Sequence, residues 1–290
     1  VTSIGDSAFE HCSSLQSVTI PESVTIFKGN PFTYCPARVI NHSNHFTIFE
    51  GNLYTSDRRE LISYLSKGEN FIIPDSVTSI GNGAFKGCSS LHSVIIPVSV
   101  TSIGNWAFSD CSSLKSVTIP NSVTSIGDGA FYDCSSLQSV TIPDSVTSIG
   151  DSAFEGCSSL QSVTIPDSVT SIGNLAFWRC SSLQSVTIPE SVTFIKGNPF
   201  VNCPARVINR SKHFTIFEGN LYSSDRRKLI SYLLKGKNFI IPDSVTSIGR
   251  CAFCFCGSLH SVTIPDSVTS IDRGAFSNCK SLQSVTIPDS

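Results

Sequence analysis

The sequence is 290 residues long and carries a formal net charge of −2, which gives it no general attraction to nucleic acid or an anionic membrane. Apolar residues make up 40% of the chain and charged residues only 14%, which is low for an ordinary soluble protein. No stretch approaches the ~20 apolar residues that a membrane-spanning helix needs, and no charged-then-apolar leader opens the chain. Because the chain contains no methionine, we expect it to be a piece of a longer protein whose targeting signals lie outside it.

A cysteine recurs at a fixed interval along the chain. The same step of 23 residues separates Cys12 from Cys35 and Cys256 from Cys279, and it recurs in the central run Cys88, Cys111, Cys134, Cys157, Cys180 and Cys203. So regular a period is typical of a solenoid, in which each repeat is one coil that buries its apolar faces only by stacking on its neighbours. The sequence therefore predicts one continuous solenoid over residues 1–290.

The repeat that begins at Cys134 shows what one coil contains. Alternating β-branched residues predict a short strand over 139–142, which Pro143 ends because proline cannot donate to a strand ladder. A second extended stretch follows at 146–149, after an Asp-Ser turn. The next segment, 150–157, predicts a short helical or 3-10 turn that points its Ala, Phe and Cys side chains into the core.

Two segments interrupt this repeat, at about residues 38–69 and 206–237, and they lie in a duplication with a period of 168 residues. The text F-T-I-F-E-G-N-L-Y-T-S-D-R-R-E-L-I-S predicts a β-hairpin whose two strands are joined around residues 56–59. Each insert also contains an N-x-S sequon, at Asn41 and Asn209, which is a candidate glycosylation site in a secreted protein.

Charge separates the two inserts. The second has eight Lys or Arg residues against two acidic residues, whereas the first has four of each. One interpretation is a basic patch for an acidic polysaccharide or protein, and the alternative is neutral drift of charge in loops. The candidate patch consists of Arg226, Arg227, Lys228, Lys235 and Lys237.

The cysteines indicate structure and not chemistry. Ten of the twelve occupy one repeat position, so each coil supplies a single thiol and no cluster converges on a metal ion. We expect buried free thiols there, with stacked disulfides as the alternative. Cys251, Cys254 and Cys256 form the run C-A-F-C-F-C, which leaves a local disulfide or reactive thiols open. No serine or histidine has the neighbourhood of a nucleophile, and we predict neither catalytic residues nor a cofactor.

The strand text L-x-x-V-x-I-P, as at Leu114, Val117, Ile119 and Pro120, and the phrase S-V-T-S-I-G-x-x-A-F-x-x-C together resemble the BspA-like, or Treponema-type, leucine-rich repeats. This resemblance covers nearly the whole chain. It implies a leucine-rich-repeat solenoid that is mostly β, with a parallel sheet on one face, short second strands, helical turns and two hairpin inserts. It also implies a cell-surface or secreted protein that adheres to host cells, neighbouring cells or matrix, without enzymatic activity.

Ser and Thr alternate with the buried residues of each first strand, and they should line the sheet face on which such solenoids bind ligands. These candidates are Ser116, Thr118, Ser139, Thr141, Ser162, Thr164, Ser185 and Thr187. So uniform a face fits weak, multivalent adhesion to a protein or glycan. Two other functions remain open: a structural spacer that associates end to end, and a hydroxyl grid that orders water or ice.

Overall fold

The computed structural model describes residues 1–234 and 236–287, and within them the chain is a stack of coils made of short strands and turns, with no helix. The strands are β1 (Ser3–Ile4), β2 (Ser17–Ile20), β3 (Ile26–Phe27), β4 (Arg38–Asn41), β5 (Phe46–Phe49), β6 (Asn52–Thr55), β7 (Glu60–Ser63), β8 (Asn70–Ile72), β9 (Ser79–Ile80), β10 (Ser93–Ile95), β11 (Ser102–Ile103), β12 (Ser116–Thr118), β13 (Ser125–Ile126), β14 (Ser139–Thr141), β15 (Ser148–Ile149), β16 (Ser162–Thr164), β17 (Ser171–Ile172), β18 (Ser185–Ile188), β19 (Phe194–Ile195), β20 (Arg206–Asn209), β21 (Phe214–Phe217), β22 (Asn220–Ser223), β23 (Lys228–Ser231), β24 (Asn238–Ile240), β25 (Ser247–Ile248), β26 (Ser261–Thr263), β27 (Ser270–Ile271) and β28 (Ser284–Thr286).

Two layers of strands run along the stack. The layer that we call the front sheet contains the first strand of each coil, and its hydrogen-bonded pieces are β2–β4, β8–β10–β12–β14–β16, β18–β20 and β24–β26–β28. The layer that we call the back sheet contains the second strands together with the inserts. Its pieces are β1–β3, a nine-stranded sheet from β5 to β19, and a five-stranded sheet from β21 to β27.

Successive coils pair in parallel and in register, as the period predicts. Ser116 lies opposite Ser139, and Val117 lies opposite Val140. The valine side chains point inward and are 4% and 5% exposed, while the serines between them are exposed. Because each coil places the same residue at the same height, the core consists of ladders of like side chains. This confirms the predicted solenoid with a parallel sheet on one face.

One of these ladders consists of phenylalanine rings. Phe108, Phe131 and Phe154 are fully buried, and the ring of Phe131 stacks nearly flat between the other two at centroid distances of 5.3 and 5.5 Å. Parallel stacking at this distance adds to the free energy gained by removing the rings from water. The ladder continues from Phe85 to Phe200.

The segment before each repeat cysteine, which we call the Cys turn, differs from the predicted helical or 3-10 turn. Ser152 and Gly156 have φ values of 55° and 74°, which interrupt a right-handed helix at two places. Alternate amides also leave the turn: the Ser152 N–H donates to Asn174 O at 2.8 Å, and the Phe154 N–H donates to Ala176 O at 2.9 Å. The amides between them still bond within the turn, Glu155 N–H to Ser152 O and Cys157 N–H to Phe154 O, so bonding to the next coil replaces only every second bond of a continuous helix.

In the central coils, the cysteine that ends the Cys turn makes a similar link between coils. The Cys134 thiol donates to Phe108 O at 3.0 Å, and the Cys157 thiol donates to Phe131 O at 3.1 Å. Burial raises the pKa of Cys88 to about 12 and raises that of Cys157 well above its ordinary value, because it disfavours the charged thiolate. All twelve cysteines, which lie within the described residues, are thiols.

Each insert forms three strands, whereas the sequence predicts two. The turn at residues 56–59 joins β6 to β7, as predicted, but β5 precedes them and pairs antiparallel with β6. Glu50 and Gly51 connect β5 to β6 with φ values of 46° and 76°, the geometry of a two-residue type I′ turn. The last strand, β7, then pairs in parallel with β9, so the insert is continuous with the back sheet.

Candidate binding surface

The predicted hydroxyl face lies on the outward side of the front sheet. Its members are exposed except for Thr187, which is partly buried, and they are Ser116, Thr118, Ser139, Thr141, Ser162, Thr164, Ser185 and Thr187. Strands β12, β14 and β16 carry the first six in one sheet, with serine opposite serine and threonine opposite threonine. Strand β18 belongs instead to the separate β18–β20 pair, which places Ser185 opposite Arg206. The uniform grid within one sheet is therefore three strands wide.

The outward residues change where the front sheet meets an insert. On β8 and β10, Ile72 and Ile95 lie opposite each other and are 67% and 59% exposed. On β4, the exposed Arg38 precedes Ile40, which is 37% exposed. Arginine and large apolar side chains are the residue types that anchor protein partners, and a hydroxyl grid lacks them. The sequence shows these departures as R-V-I, N-F-I and S-V-I in place of S-V-T. The sequence prediction of the binding face used only the repeated Ser and Thr positions and therefore missed them.

The second insert has a matching arrangement. Arg206 on β20 is exposed, and Ile208 on the same strand is 38% exposed. Beyond the insert, Ile240 on β24 is 73% exposed. The front face therefore has two similar regions with arginine and isoleucine, one at each insert.

Each insert also interrupts the pairing of the front sheet. In the described part of the chain β4 pairs only with β2, β8 pairs only with β10, and β20 pairs only with β18. The chain that would continue the front sheet after β4 forms β5, β6 and β7 in the back layer instead. A groove of about 680 Å³ follows the unpaired edge of β4. Its walls are the consecutive residues 36–41 on one side and Thr47, Ile48, Gly51 and Leu65 on the other.

The predicted basic residues fall in different places. Arg226, Arg227 and Lys228 are exposed at the turn between β22 and β23, beside the back sheet. Lys237 is exposed just before β24 in the front sheet, and Lys235 lies outside the described residues. The guanidinium of Arg226 lies 4.5 Å from the centroid of the Phe217 ring, as does that of Arg58 above Phe49 in the first copy. The contact of Arg226 is therefore common to both inserts, and the excess charge of the second copy comes from other residues.

The asparagine and serine side chains of both sequons make hydrogen bonds within the fold. The side-chain amide of Asn41 donates to Ser43 O at 2.9 Å and to Phe46 O at 2.8 Å, which engages both of its hydrogens. The hydroxyl of Ser43, 4% exposed, donates to Val24 O at 2.6 Å. Asn209 and its sequon serine make the same bonds in the second copy. Because a glycan needs the amide nitrogen that these bonds occupy, we do not propose one at Asn41 or Asn209.

The C-A-F-C-F-C run places two thiols across one Cys turn. The Cys254 N–H donates to Cys251 O at 3.0 Å, and this turn brings the two side chains together. The pKa of Cys251 is lowered to about 6, mainly by a hydrogen bond with the Cys254 thiol and also by the nearby Arg250 charge, against the opposing effect of burial. The same bond raises the pKa of Cys254, and burial raises that of Cys256 to about 12. The pKa of Cys251 is therefore lower than those of Cys254 and Cys256.

This difference predicts selective chemistry at Cys251. Brief treatment of the folded protein with iodoacetamide at pH 7 should alkylate Cys251 before the other cysteines, because the thiolate is the nucleophile. Peptide mass spectrometry after quenching measures the order of labelling. Replacing Cys254→Ala removes the hydrogen bond and should slow labelling of Cys251 at pH 6.5 several-fold. Equal labelling rates in the parent and this variant would show that Cys254 does not activate Cys251.

Within the described residues there is no cluster of three or more His, Cys, Asp or Glu side chains that could hold a metal ion. No helix among those residues is long and apolar enough to cross a membrane. The candidate binding surface is therefore the outward face of the front sheet together with its unpaired edges.

Several solved structures are similar to this chain. A leucine rich cell surface protein from Faecalibacterium prausnitzii A2-165 is 34% identical over 83% of this chain and 74% of that chain, with a TM-score of 0.58. A leucine-rich repeat protein from Bacteroides ovatus ATCC 8483 is 31% identical over 83% of this chain and 61% of that chain, with a TM-score of 0.57. The pneumococcal vaccine antigen PcpA shares the fold: it is 21% identical over 84% of this chain and 68% of that chain, with a TM-score of 0.58.

A search of curated proteins found no match. The BspA type leucine rich repeat region, in six copies, matches residues 1–64, 62–124, 108–230 and 227–290. These matches confirm the resemblance carried by the strand and Cys-turn motifs. The solenoids of this family are in general protein-interaction scaffolds without enzymatic activity. The chain belongs to the BspA type leucine-rich repeat family.

Proposed function

We propose that this chain is the adhesive part of a cell-surface or secreted protein, and that it binds proteins on cells or matrix through the front sheet beside its inserts. The observation that carries the proposal is the position of the outward residues that depart from the Ser/Thr pattern. Arg38 begins the first insert, and Ile72 and Ile95 lie on the front strands that follow it. Arg206 begins the second insert, and Ile240 lies on the front strand that follows it. The cell-surface relative with 34% identity supports the location.

The two regions suit bivalent attachment. Six strand spacings separate β8 from β20 along the front sheet, which at ~4.8 Å each is about 29 Å. Contacts through a few exposed side chains are weak individually, but two on one rigid solenoid reinforce each other through effective concentration. The Ser/Thr strands between them then act mainly as a spacer.

The experiment measures binding of the labelled 290-residue chain to decellularised extracellular matrix and to epithelial monolayers. The double variant Ile72→Ser/Ile95→Ser should raise the apparent Kd at least ~10-fold, because it removes two exposed apolar contacts that a partner would bury. A matched control, Thr118→Ser/Thr141→Ser, changes two exposed residues of the uniform grid and should leave Kd unchanged. Circular dichroism and Tm should be the same for all three proteins.

Other outcomes favour the other functions. Loss of binding in the threonine control alone would place the contact on the hydroxyl grid. Absence of saturable binding, together with concentration-dependent self-association, would indicate a structural spacer. If the basic residues contribute, Arg227→Glu/Lys228→Glu should reduce binding and soluble heparin should compete at low salt. A thermal hysteresis measurement tests whether the face orders water or ice. This is the function that we favour least, because the uniform grid is only three strands wide.

A further inference from the structure

We infer that the unpaired edge of β4 receives an extended segment of the partner protein as an added strand of the front sheet, and that β20 does the same in the second copy. This inference rests on the proposed function and specifies the conformation and chemistry of what is bound. Such strand addition draws its affinity from main-chain hydrogen bonds and its specificity from alternate side chains.

The hydrogen bonds of β4 show which groups are free. The Arg38 N–H donates to Gln16 O at 2.9 Å, and the His42 N–H donates to Ile20 O at 2.8 Å, both toward β2. Since main-chain groups alternate in direction along a strand, those of Val39 and Asn41 point the opposite way, toward the groove. Strand β4 has no partner on that side among the described residues. The N–H and C=O groups of these two residues are therefore free to pair.

The second copy has the same bonding. The Arg206 N–H donates to Gln184 O at 2.9 Å, and the Arg210 N–H donates to Ile188 O at 2.9 Å. The main-chain groups of Val207 and Asn209 consequently point away from β18. An interior strand differs from both edges, because β14 pairs with β12 on one side and with β16 on the other.

The groove has the dimensions and walls that an added strand needs. Six consecutive residues, 36–41, line it along the whole of β4, and its volume of about 680 Å³ lies within the usual range of ligand sites. Ile48 and Leu65 on the opposite wall give the strand an apolar surface to cover. A polysaccharide has no alternating amide donors to match this edge, whereas an extended peptide does.

Side chains on β4 specify the partner further. Arg38 and Ile40 are on the outward side, so the neighbouring outward positions of the added strand should be an acidic residue and an apolar residue. The position beside the partly buried Val39 should be β-branched and should face inward. The partner is therefore an extended protein segment with the pattern acidic, β-branched, apolar.

The probe is a blocked peptide of sequence SVEVIVK, with a control of the same sequence that is N-methylated at the alternate residues facing β4. The parent peptide should bind the 290-residue chain, and N-methylation should weaken binding at least ~10-fold because it removes donors while keeping every side chain. In amide exchange measurements, Val39 and Asn41 should exchange faster than Val140 in the free protein and become protected by the parent peptide only.

Variants of the protein test the same edge from the other side. Val39→Pro removes the edge N–H but keeps the bonds of Arg38 and His42 to β2, and proline is tolerated on an edge strand. Val39→Ala is the matched control, because it shortens the side chain and keeps the N–H. The proline variant should bind the peptide at least ~10-fold more weakly than the alanine variant, with unchanged circular dichroism. Combining it with Val207→Pro should abolish binding.

The inference is overturned if neither peptide binds at millimolar concentration, if both bind equally, or if Val39→Pro and Val39→Ala bind alike. These results leave the proposed function standing when Ile72→Ser/Ile95→Ser still reduces attachment to matrix. Loss of both effects removes the proposed function as well.

Discussion

Replacing Phe131→Ala should lower the free energy of unfolding by about 4 kcal/mol, within the usual cost of removing a buried aromatic ring. Phe131 is fully buried in the middle of the ring ladder, with Phe108 and Phe154 stacked on its two faces. The coils on either side keep their register through main-chain hydrogen bonds, so they cannot close fully around the missing ring. The variant therefore loses both the transfer of the ring from water and the contacts of its two neighbours.

The matched control is Phe276→Ala near the end of the described coils. Among the described residues Phe276 stacks only on Phe253, at 4.8 Å, and it is partly buried. Its replacement should cost less than half as much. Urea unfolding followed by circular dichroism measures both free energies, with the m value checked for each protein. A smaller loss for Phe131→Ala than for Phe276→Ala would show that the ring ladder is not the main source of stability.

Replacing Asn52→Ala should cost about 3 kcal/mol, because it removes several hydrogen bonds that each contribute about 1 kcal/mol. Asn52 is fully buried at the start of β6. Its side-chain oxygen accepts the N–H groups of Leu65 and Ser66 at 2.9 and 3.0 Å, and its amide donates to Glu50 O at 3.1 Å. One side chain thus joins the turn before β6 to the segment that returns to the front sheet.

The exposed Asn44 in the same insert provides the control, and Asn44→Ala should change the free energy of unfolding by less than 0.5 kcal/mol, which is about the usual effect of a surface substitution. Asn220 makes equivalent bonds in the second copy, so Asn220→Ala should resemble Asn52→Ala. Amide exchange locates the effect: the residues of β5, β6 and β7 should lose protection before the uniform coils do. Equal stability of Asn52→Ala and Asn44→Ala would contradict this role.

The period in the sequence predicts the solenoid because the same information is written many times. A valine such as Val140 is assigned inward once by its own alternation and again by each coil that shares its position. Repetition does not improve the prediction of the Cys turn in the same way. Its text, D-S-A-F-E-G-C, is compatible with a helix locally, and only stacking shows that the amides of Ser152 and Phe154 bond to the next coil. A local pattern cannot report a bond between coils.

The inserts show a second limit. The third strand has a local signal, since Glu50 and Gly51 form a two-residue turn between apolar strands. The unpaired edge of β4 has no local signal, because it arises when β7 joins β9 in the back sheet and leaves the front sheet without a successor. The exposed isoleucines lie between these cases. Ile72 and Ile95 are visible in the sequence as departures from threonine, but their exposure becomes informative only beside the insert.

Because successive coils pair in the same register, the length of the solenoid depends only on the number of coils. Each uniform coil makes the same set of main-chain hydrogen bonds with the coil before it and with the coil after it. A gene that gains or loses one 23-residue unit, such as residues 134–156, therefore leaves every remaining junction chemically unchanged. The distance between the two insert regions then changes by one strand spacing, ~4.8 Å. Under the bivalent attachment that we propose, the gain or loss of a unit would change the separation of the two regions without altering either region.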